Sequence, residues 1–112
     1  MQAGLDWTTQ VRRGVLELCV LGLIQQRPAY GYELVSQLSG WETLAINEGT
    51  LYPLLRRLQK EGLVEASWQE SDAGPMRKYY RLTPSGTQWL ERMQLEWRQL
   101  AASVTEVLEG KG

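Results

Sequence analysis

The chain of 112 residues predicts a mainly α-helical fold with a small β-hairpin and a long C-terminal helix. Three observations carry this. Within residues 47–61, Leu51, Leu54, Leu55 and Leu58 recur at i, i+3, i+4 and i+7, the spacing of one helix face. Two stretches rich in Val, Trp and Tyr, 63–69 and 76–83, flank the turn-forming run from Glu70 to Pro75. From Leu90 to Val107, apolar residues recur by alternating steps of three and four.

Taken in order, residues 1–7 carry no pattern, although Leu5 and Trp7 are apolar enough to pack. Thr8 or Thr9 is the expected N-cap of a helix reaching Gln26. Val11, Val15, Leu18 and Gly22 form one stripe on it, and Leu16, Val20 and Leu23 a second. Two apolar faces call for burial on two sides, one against the domain's own core and one against a partner. Pro28 ends this helix. Tyr30, Gly31 and Tyr32 lead into a short helix bearing Leu34, Val35 and Leu38, closed at Gly40. Leu44-Ala45-Ile46 is expected to be a very short strand. Asn47 caps the next helix, and Gly62 ends it. Pro53 removes one hydrogen bond inside that helix and predicts a kink or a tightened first turn rather than a break. Thr83-Pro84 starts the last helix, with threonine as cap and proline at the first helical position. Its seam of Leu90, Met93, Trp97, Leu100, Val104 and Val107 spans about two and a half heptads, too short for a free-standing coiled coil. Packing on another chain is therefore expected, with the doubly apolar first helix of a second copy as partner.

The length allows one domain with a modest core. The apolar run from Val15 to Ile24 contains Glu17 and is too short to span a bilayer, and no signal-peptide pattern opens the sequence. The single cysteine, Cys19, has no intrachain disulfide partner, which fits a reducing compartment; the expected location is cytoplasmic. With no histidine, the commonest general base and metal ligand is missing. Cys19 lies in an apolar helical run, where a packing role is expected, and no nucleotide-binding glycine loop is present. No enzyme is expected, nor a metal or cofactor.

Net charge is −1 and the pI near 5.5, which opposes nucleic-acid binding unless the charge is segregated. It is clustered in sequence. Arg56, Arg57 and Lys60 share one segment and Arg77, Lys78 and Arg81 another, while Glu91, Glu96, Glu106 and Glu109 lie on the final helix with Arg92, Arg98 and Lys111. A basic helix face followed by a basic hairpin strand is the layout of a winged helix-turn-helix. The helix at 47–61 would enter a major groove, with the 74–78 wing tip on the adjacent backbone. The acidic pI favours a second reading, a winged-helix module that binds protein and has no sequence-specific DNA binding.

The stretches YGYEL (30–34), EGTLYPLLRRLQKEGLV (48–64) and GPMRKYYRLTPSG (74–86) resemble, in order and spacing, the PadR family of bacterial winged-helix transcriptional regulators in its short form. The resemblance covers about residues 10 to 108. It implies a winged helix-turn-helix DNA-binding domain at 1–82. It also implies a C-terminal dimerisation helix at 83–112 that forms one compact unit with the first helix. It further implies a homodimeric repressor of efflux, detoxification or stress genes, bound to a roughly palindromic operator and released by a small molecule. In some relatives a tryptophan on the last helix stacks flat aromatic compounds between protomers, and Trp97, fourteen residues after Thr83, falls at the matching place.

The family's recognition-helix tyrosine matches Tyr52, its small polar residues Asn47 and Thr50, and its basic wing residues Arg77 and Lys78. One departure is Glu48, a carboxylate that is unfavourable near phosphates yet suits the helix dipole. The expected DNA contacts are thus Asn47, Thr50, Tyr52, Arg56, Arg57, Lys60, Arg77 and Lys78. Tyr79, Tyr80 and Arg81 are expected to hold the wing on the body. The expected wall for a planar apolar effector is Trp97 and Met93 with Leu16 and Val20, and Arg13 at the rim. The expected dimer interface comprises Val11, Leu16, Val20, Leu90, Met93, Trp97, Leu100, Val104 and Val107. Trp7, Trp41, Trp68 and Trp89 are read as packing or surface residues.

Overall fold

A computed structural model describes residues 7–72 and 74–111, so Leu5 and Ala73 lie outside the described residues. The first helix, α1 (Trp7–Gln26), buries Leu16, Val20, Leu21 and Ile24 in the core. Thr8 and Thr9 sit inside it rather than before it, so the expected cap falls too late. Strand β1 (Ala29–Tyr30) leads directly into α2 (Gly31–Leu38), where Glu33 accepts a hydrogen bond from the Tyr30 N–H at 3.3 Å. Ser39, not Gly40, caps the end of α2. The segment expected as a strand at 44–46 instead begins inside a 3-10 turn, Glu42–Leu44, and continues as extended chain from Ala45. The third strand of the sheet is β1, because only there does the chain run beside an open edge of the hairpin.

Helix α3 (Glu48–Lys60) starts where expected. The Asn47 side-chain oxygen accepts from the Thr50 N–H at 3.0 Å, satisfying one of the unpaired amides of the first turn. Pro53 lies inside the helix without ending it. Leu51, Leu55 and Leu58 are fully buried, and Leu54 is half-buried. The helix closes in a Schellman motif: Gly62 N–H donates to Gln59 O at 3.0 Å and Leu63 N–H to Leu58 O at 2.9 Å. Gly62 has φ +77°, a left-handed conformation that glycine adopts without a steric penalty.

Strands β2 (Val64–Ser71) and β3 (Gly74–Leu82) form the wing, antiparallel, with Ala66 opposite Tyr80 and Trp68 opposite Lys78. The hairpin is longer and its turn tighter than expected, since Ser71 already pairs with Gly74 after a register shift beyond Gln69. The sheet order is β1-β3-β2, and β3 carries Tyr80 into the core.

Helix α4 (Pro84–Leu108) begins at the expected Thr83-Pro84 start. Thr83 Oγ1 accepts from the Gly86 N–H at 2.9 Å and donates to Gly62 O at 2.6 Å, while Thr83 N–H donates to Leu63 O at 3.1 Å. Leu90 is fully buried and Met93 partly so. Beyond them the seam emerges: Trp97, Leu100, Val104 and Val107 are exposed, on a chain measuring 55 × 34 × 23 Å.

Gly86 packs directly on the Leu63 carbonyl, whose carbon would lie 2.9 Å from an added Cβ. That obstacle is backbone and cannot rotate away. Gly86→Ala is therefore expected to cost about 1–3 kcal/mol, the scale of overpacking, read as a lower urea midpoint at unchanged slope.

Candidate nucleic-acid interface

Helix α3 presents its outward face between two clefts. The wing-side cleft, about 420 Å3, takes Tyr52 and Arg56 from α3, the Tyr30-Gly31-Tyr32 run at the start of α2, and Arg77 and Lys78 from β3. Tyr52 can lie across the start of α2 because Gly31 has no side chain: an added Cβ would sit 2.6 Å from the Tyr52 ring carbons. Burial, and then the charge of Glu48, push the Tyr52 hydroxyl up, so it stays protonated and able to donate near neutral pH. Burial does the same to Tyr80.

The two wing cations of this cleft are held by aromatic faces rather than by carboxylates. The Arg77 guanidinium lies 4.4 Å from the centre of the Tyr30 ring, and Lys78 Nζ 5.7 Å from that of Tyr80. Tyr30 is braced edge-to-face on Tyr79 at 5.3 Å. A cation over a ring is positioned but keeps its full charge, whereas an ion pair cancels it. Among the described residues, Arg56, Lys60, Arg77 and Lys78 have no carboxylate partner. Tyr79 and Tyr80 hold the wing on the body, while Arg81 is exposed.

The opposite cleft, about 570 Å3, lies between α1 and α3 and takes Arg12, Arg13 and Glu17 with Thr50, Pro53 and Arg57. Here one of the expected residues is already engaged. Arg57 Nη2 donates to Glu17 Oε1 at 2.6 Å and Nη1 to Glu61 Oε1 at 3.1 Å, and the hydrogen bond to Glu17 is the chief reason its basicity rises further. Arg57 was expected as an open phosphate contact; two carboxylates already claim it. Arg56 and Arg57 are adjacent, but about 100° apart around the helix, so they face different clefts. Asn47 is partly committed too, its oxygen to the cap, leaving the amide NH2 as its available donor.

A third cleft, about 410 Å3, lies between α1 and α4, lined by Val11, Val15 and Leu18 on one side and Met93, Trp97 and Leu100 on the other. Leu16 and Val20, expected on this wall and in a dimer interface, are 6% and 0% exposed in the chain's own core. Leu90, expected in the interface, is 0% exposed as well. Arg13, expected at the rim, lines the α1–α3 cleft instead. The α1 stripe that the core leaves exposed or half-exposed here runs through Val11, Val15 and Leu18.

Residues missed in the sequence include Trp68 and Met76, exposed apolar side chains in the wing-side cleft. Period-two alternation back from Tyr80 through Lys78 to Met76 carried the signal for β3. Trp68 also needed the hairpin register, which the overestimated turn obscured. Burial pushes the Cys19 thiol up, away from thiolate reactivity. Among the described residues no cluster of metal-ligating side chains occurs, and no helix is long and apolar enough to cross a membrane.

The sequence profile described as the transcriptional regulator PadR-like family matches residues 20–92. An uncharacterized protein of Lysinibacillus sphaericus is 33% identical over 104 residues, covering 91% of this chain and 95% of its own. A transcriptional regulator of Mycobacterium tuberculosis is 30% identical over 95 residues, covering 85% and 87%. The crystal structure of a PadR-like transcriptional regulator from Bacillus cereus superposes with a TM-score of 0.82 at 41% identity, covering 88% of this chain and 96% of that one. That of a PadR family transcriptional regulator from Eggerthella lenta gives 0.80 at 39%, covering 90% and 88%.

The Gly31–Tyr52 contact is open to a direct check. Gly31→Ala is expected to destabilise by about 1–3 kcal/mol through overpacking. Tyr52→Ala in the same chain should recover at least about 0.5 kcal/mol of that loss in a double-mutant urea cycle. Strict additivity of the two changes would mean that the ring does not rest on Gly31.

Proposed function

The chain belongs to the PadR-like family of transcriptional regulators, which are DNA-binding proteins and not enzymes, and from that premise we propose a homodimeric repressor released from its operator by a flat apolar compound. The observation that carries the DNA-reading part is the wing-side cleft. There the recognition helix and the wing converge with cations that no carboxylate neutralises. Helix α3 enters the major groove and the wing lies on the neighbouring backbone. Arg56, Lys60, Arg77 and Lys78 contact phosphates and set the register. Asn47, Thr50 and Tyr52 meet base edges through an amide, a hydroxyl and a phenol.

A protomer of net charge −1 binds DNA weakly, so two reading heads are needed. The exposed seam of α4 and the Val11-Val15-Leu18 stripe of α1 supply a continuous apolar surface for a second copy. Two-fold symmetry then demands a roughly palindromic operator with half-sites one turn apart, about 34–36 Å. Trp97, 43% exposed and beside Met93, offers a flat face to an aromatic ligand between protomers. Such a ligand releases DNA only if it binds one spacing of the reading heads better than another.

The acidic pI supports the competing protein-binding module, and salt separates the two readings. Arg56→Ala combined with Lys60→Ala should weaken binding to every duplex and flatten the slope of log K against log[salt] by about 1.8, at about 0.9 per phosphate contact. Fluorescence anisotropy with a duplex from the gene's own upstream region, between about 50 and 200 mM salt, reads this. Binding to no duplex at low salt would favour the protein module. For the effector site, planar dyes should quench the tryptophan emission of the native chain far more than that of Trp97→Ala. Equal quenching would reduce Trp97 to a packing residue.

A further inference from the structure

We propose that Glu17 is a positioning residue for DNA reading: its carboxylate joins the recognition helix to α4 and withholds the charge of Arg57 from the phosphate backbone. The inference rests on the DNA-binding reading above. Both Glu17 oxygens are engaged, and by different elements. Oε1 accepts from Arg57 Nη2 on α3 at 2.6 Å, and Oε2 accepts from Trp89 Nε1 on α4 at 2.9 Å. These partners lie 40 and 72 residues away in sequence, so the bonds join three helices rather than neighbours on one.

An isolated surface ion pair is worth little. This carboxylate differs in two respects. Its side chain is 17% exposed, so solvent screens it less than an ordinary surface group. It also receives two directional hydrogen bonds, and bonds to an ionised acceptor are stronger than neutral ones.

Two consequences follow for DNA. Arg57 stands on α3 one residue from Arg56, yet its charge is balanced by Glu17 and Glu61. It releases no counterion on binding unless that balance is removed. Trp89 precedes Leu90, the fully buried anchor of α4 in the core. A shift of α4 against α1 is therefore felt at Glu17, and through it at the flank of α3 that carries Thr50 and Arg57. Glu17 thus fixes the angle at which α3 is presented.

The test uses the full chain, a duplex from its own upstream region and an unrelated duplex of equal length, each across a salt series. Glu17→Gln keeps the shape and one acceptor oxygen but removes the charge. Because Glu61 also pairs with Arg57, this change is combined with Glu61→Gln; the combined variant is expected to steepen the salt slope by about 0.9 relative to Glu61→Gln alone, the value of one freed cation, and to raise affinity for the unrelated duplex. Adding Arg57→Ala to the combined variant should return the slope to that of the native chain, a reversal that mere loss of stability would not produce. A slope in the combined variant no steeper than in Glu61→Gln alone overturns the withholding of charge. Trp89→Phe removes only the indole N–H. It should lower the preference for the upstream duplex about three- to tenfold, the scale of one lost hydrogen bond, at an unchanged slope. An unchanged preference overturns the link to α4. If the native chain itself binds neither duplex, the DNA reading fails. If it binds and the variants do not differ from it, only the role of Glu17 fails.

Discussion

The arrangement of reading elements depends on one junction, where the end of α3, both ends of the wing and the start of α4 meet. Gly62 turns left-handed so that Leu63 can close the Schellman bond to Leu58. The Leu63 carbonyl then receives the Thr83 N–H, and Thr83 uses its hydroxyl twice, to Gly62 O and from Gly86 N–H. The Leu58, Gln59, Gly62 and Leu63 carbonyls and the Gly86 N–H thus find partners within these few residues. The missing side chain at Gly86 lets the backbone of α4 rest on that same carbonyl. Recognition helix, wing and long helix therefore leave one hydrogen-bonded point in fixed directions.

With that frame set, ion pairing separates one surface of the chain from another. The chain carries slightly more acid than base, so its cations are open to an anion only where carboxylates leave them unpaired. Two devices do this. On the wing, tyrosine rings hold Arg77 and Lys78 in place without neutralising them. On α3, helical rotation puts Arg56 on the wing side and Arg57 on the acid-bearing side of α1. Counting arginines along the sequence thus overstates the basic surface, since a neighbour 40 residues away determines whether one of them is available.

Elements with local punctuation were legible in the sequence. The Asn47 cap, the glycine stop at 62 and the Thr83-Pro84 start each encode a hydrogen-bonding or φ requirement within four residues, and α3 and α4 appear where those signals stand. Elements defined by distant pairing were not. Strand β1 is two residues long and exists only because β3 lies beside it, while Leu44–Ile46 has the composition of a strand but no edge to join. The two apolar stripes of α1 were visible, but periodicity does not say which stripe meets which neighbour. Leu16 and Val20 were assigned to the partner's side and lie in the core instead. The same limit applied to Arg57, whose character depends on Glu17, and to Trp68, whose face depends on the hairpin register.

Helix α1 is where these constraints converge. One face fills the core through Leu16, Val20, Leu21 and Ile24; one flank carries Glu17 toward α3; the other carries Val11, Val15 and Leu18 toward Trp97 and Leu100 of α4. A close-packed helix does not deform face by face, because interior packing transmits a shift to every neighbour. Anything that spreads the cleft beside Trp97 must therefore move α1 against α4, and the Trp89–Glu17–Arg57 chain of hydrogen bonds lies across that movement. An effector at the seam and an operator at α3 would then compete for the same few degrees of helix orientation, without any contact between them.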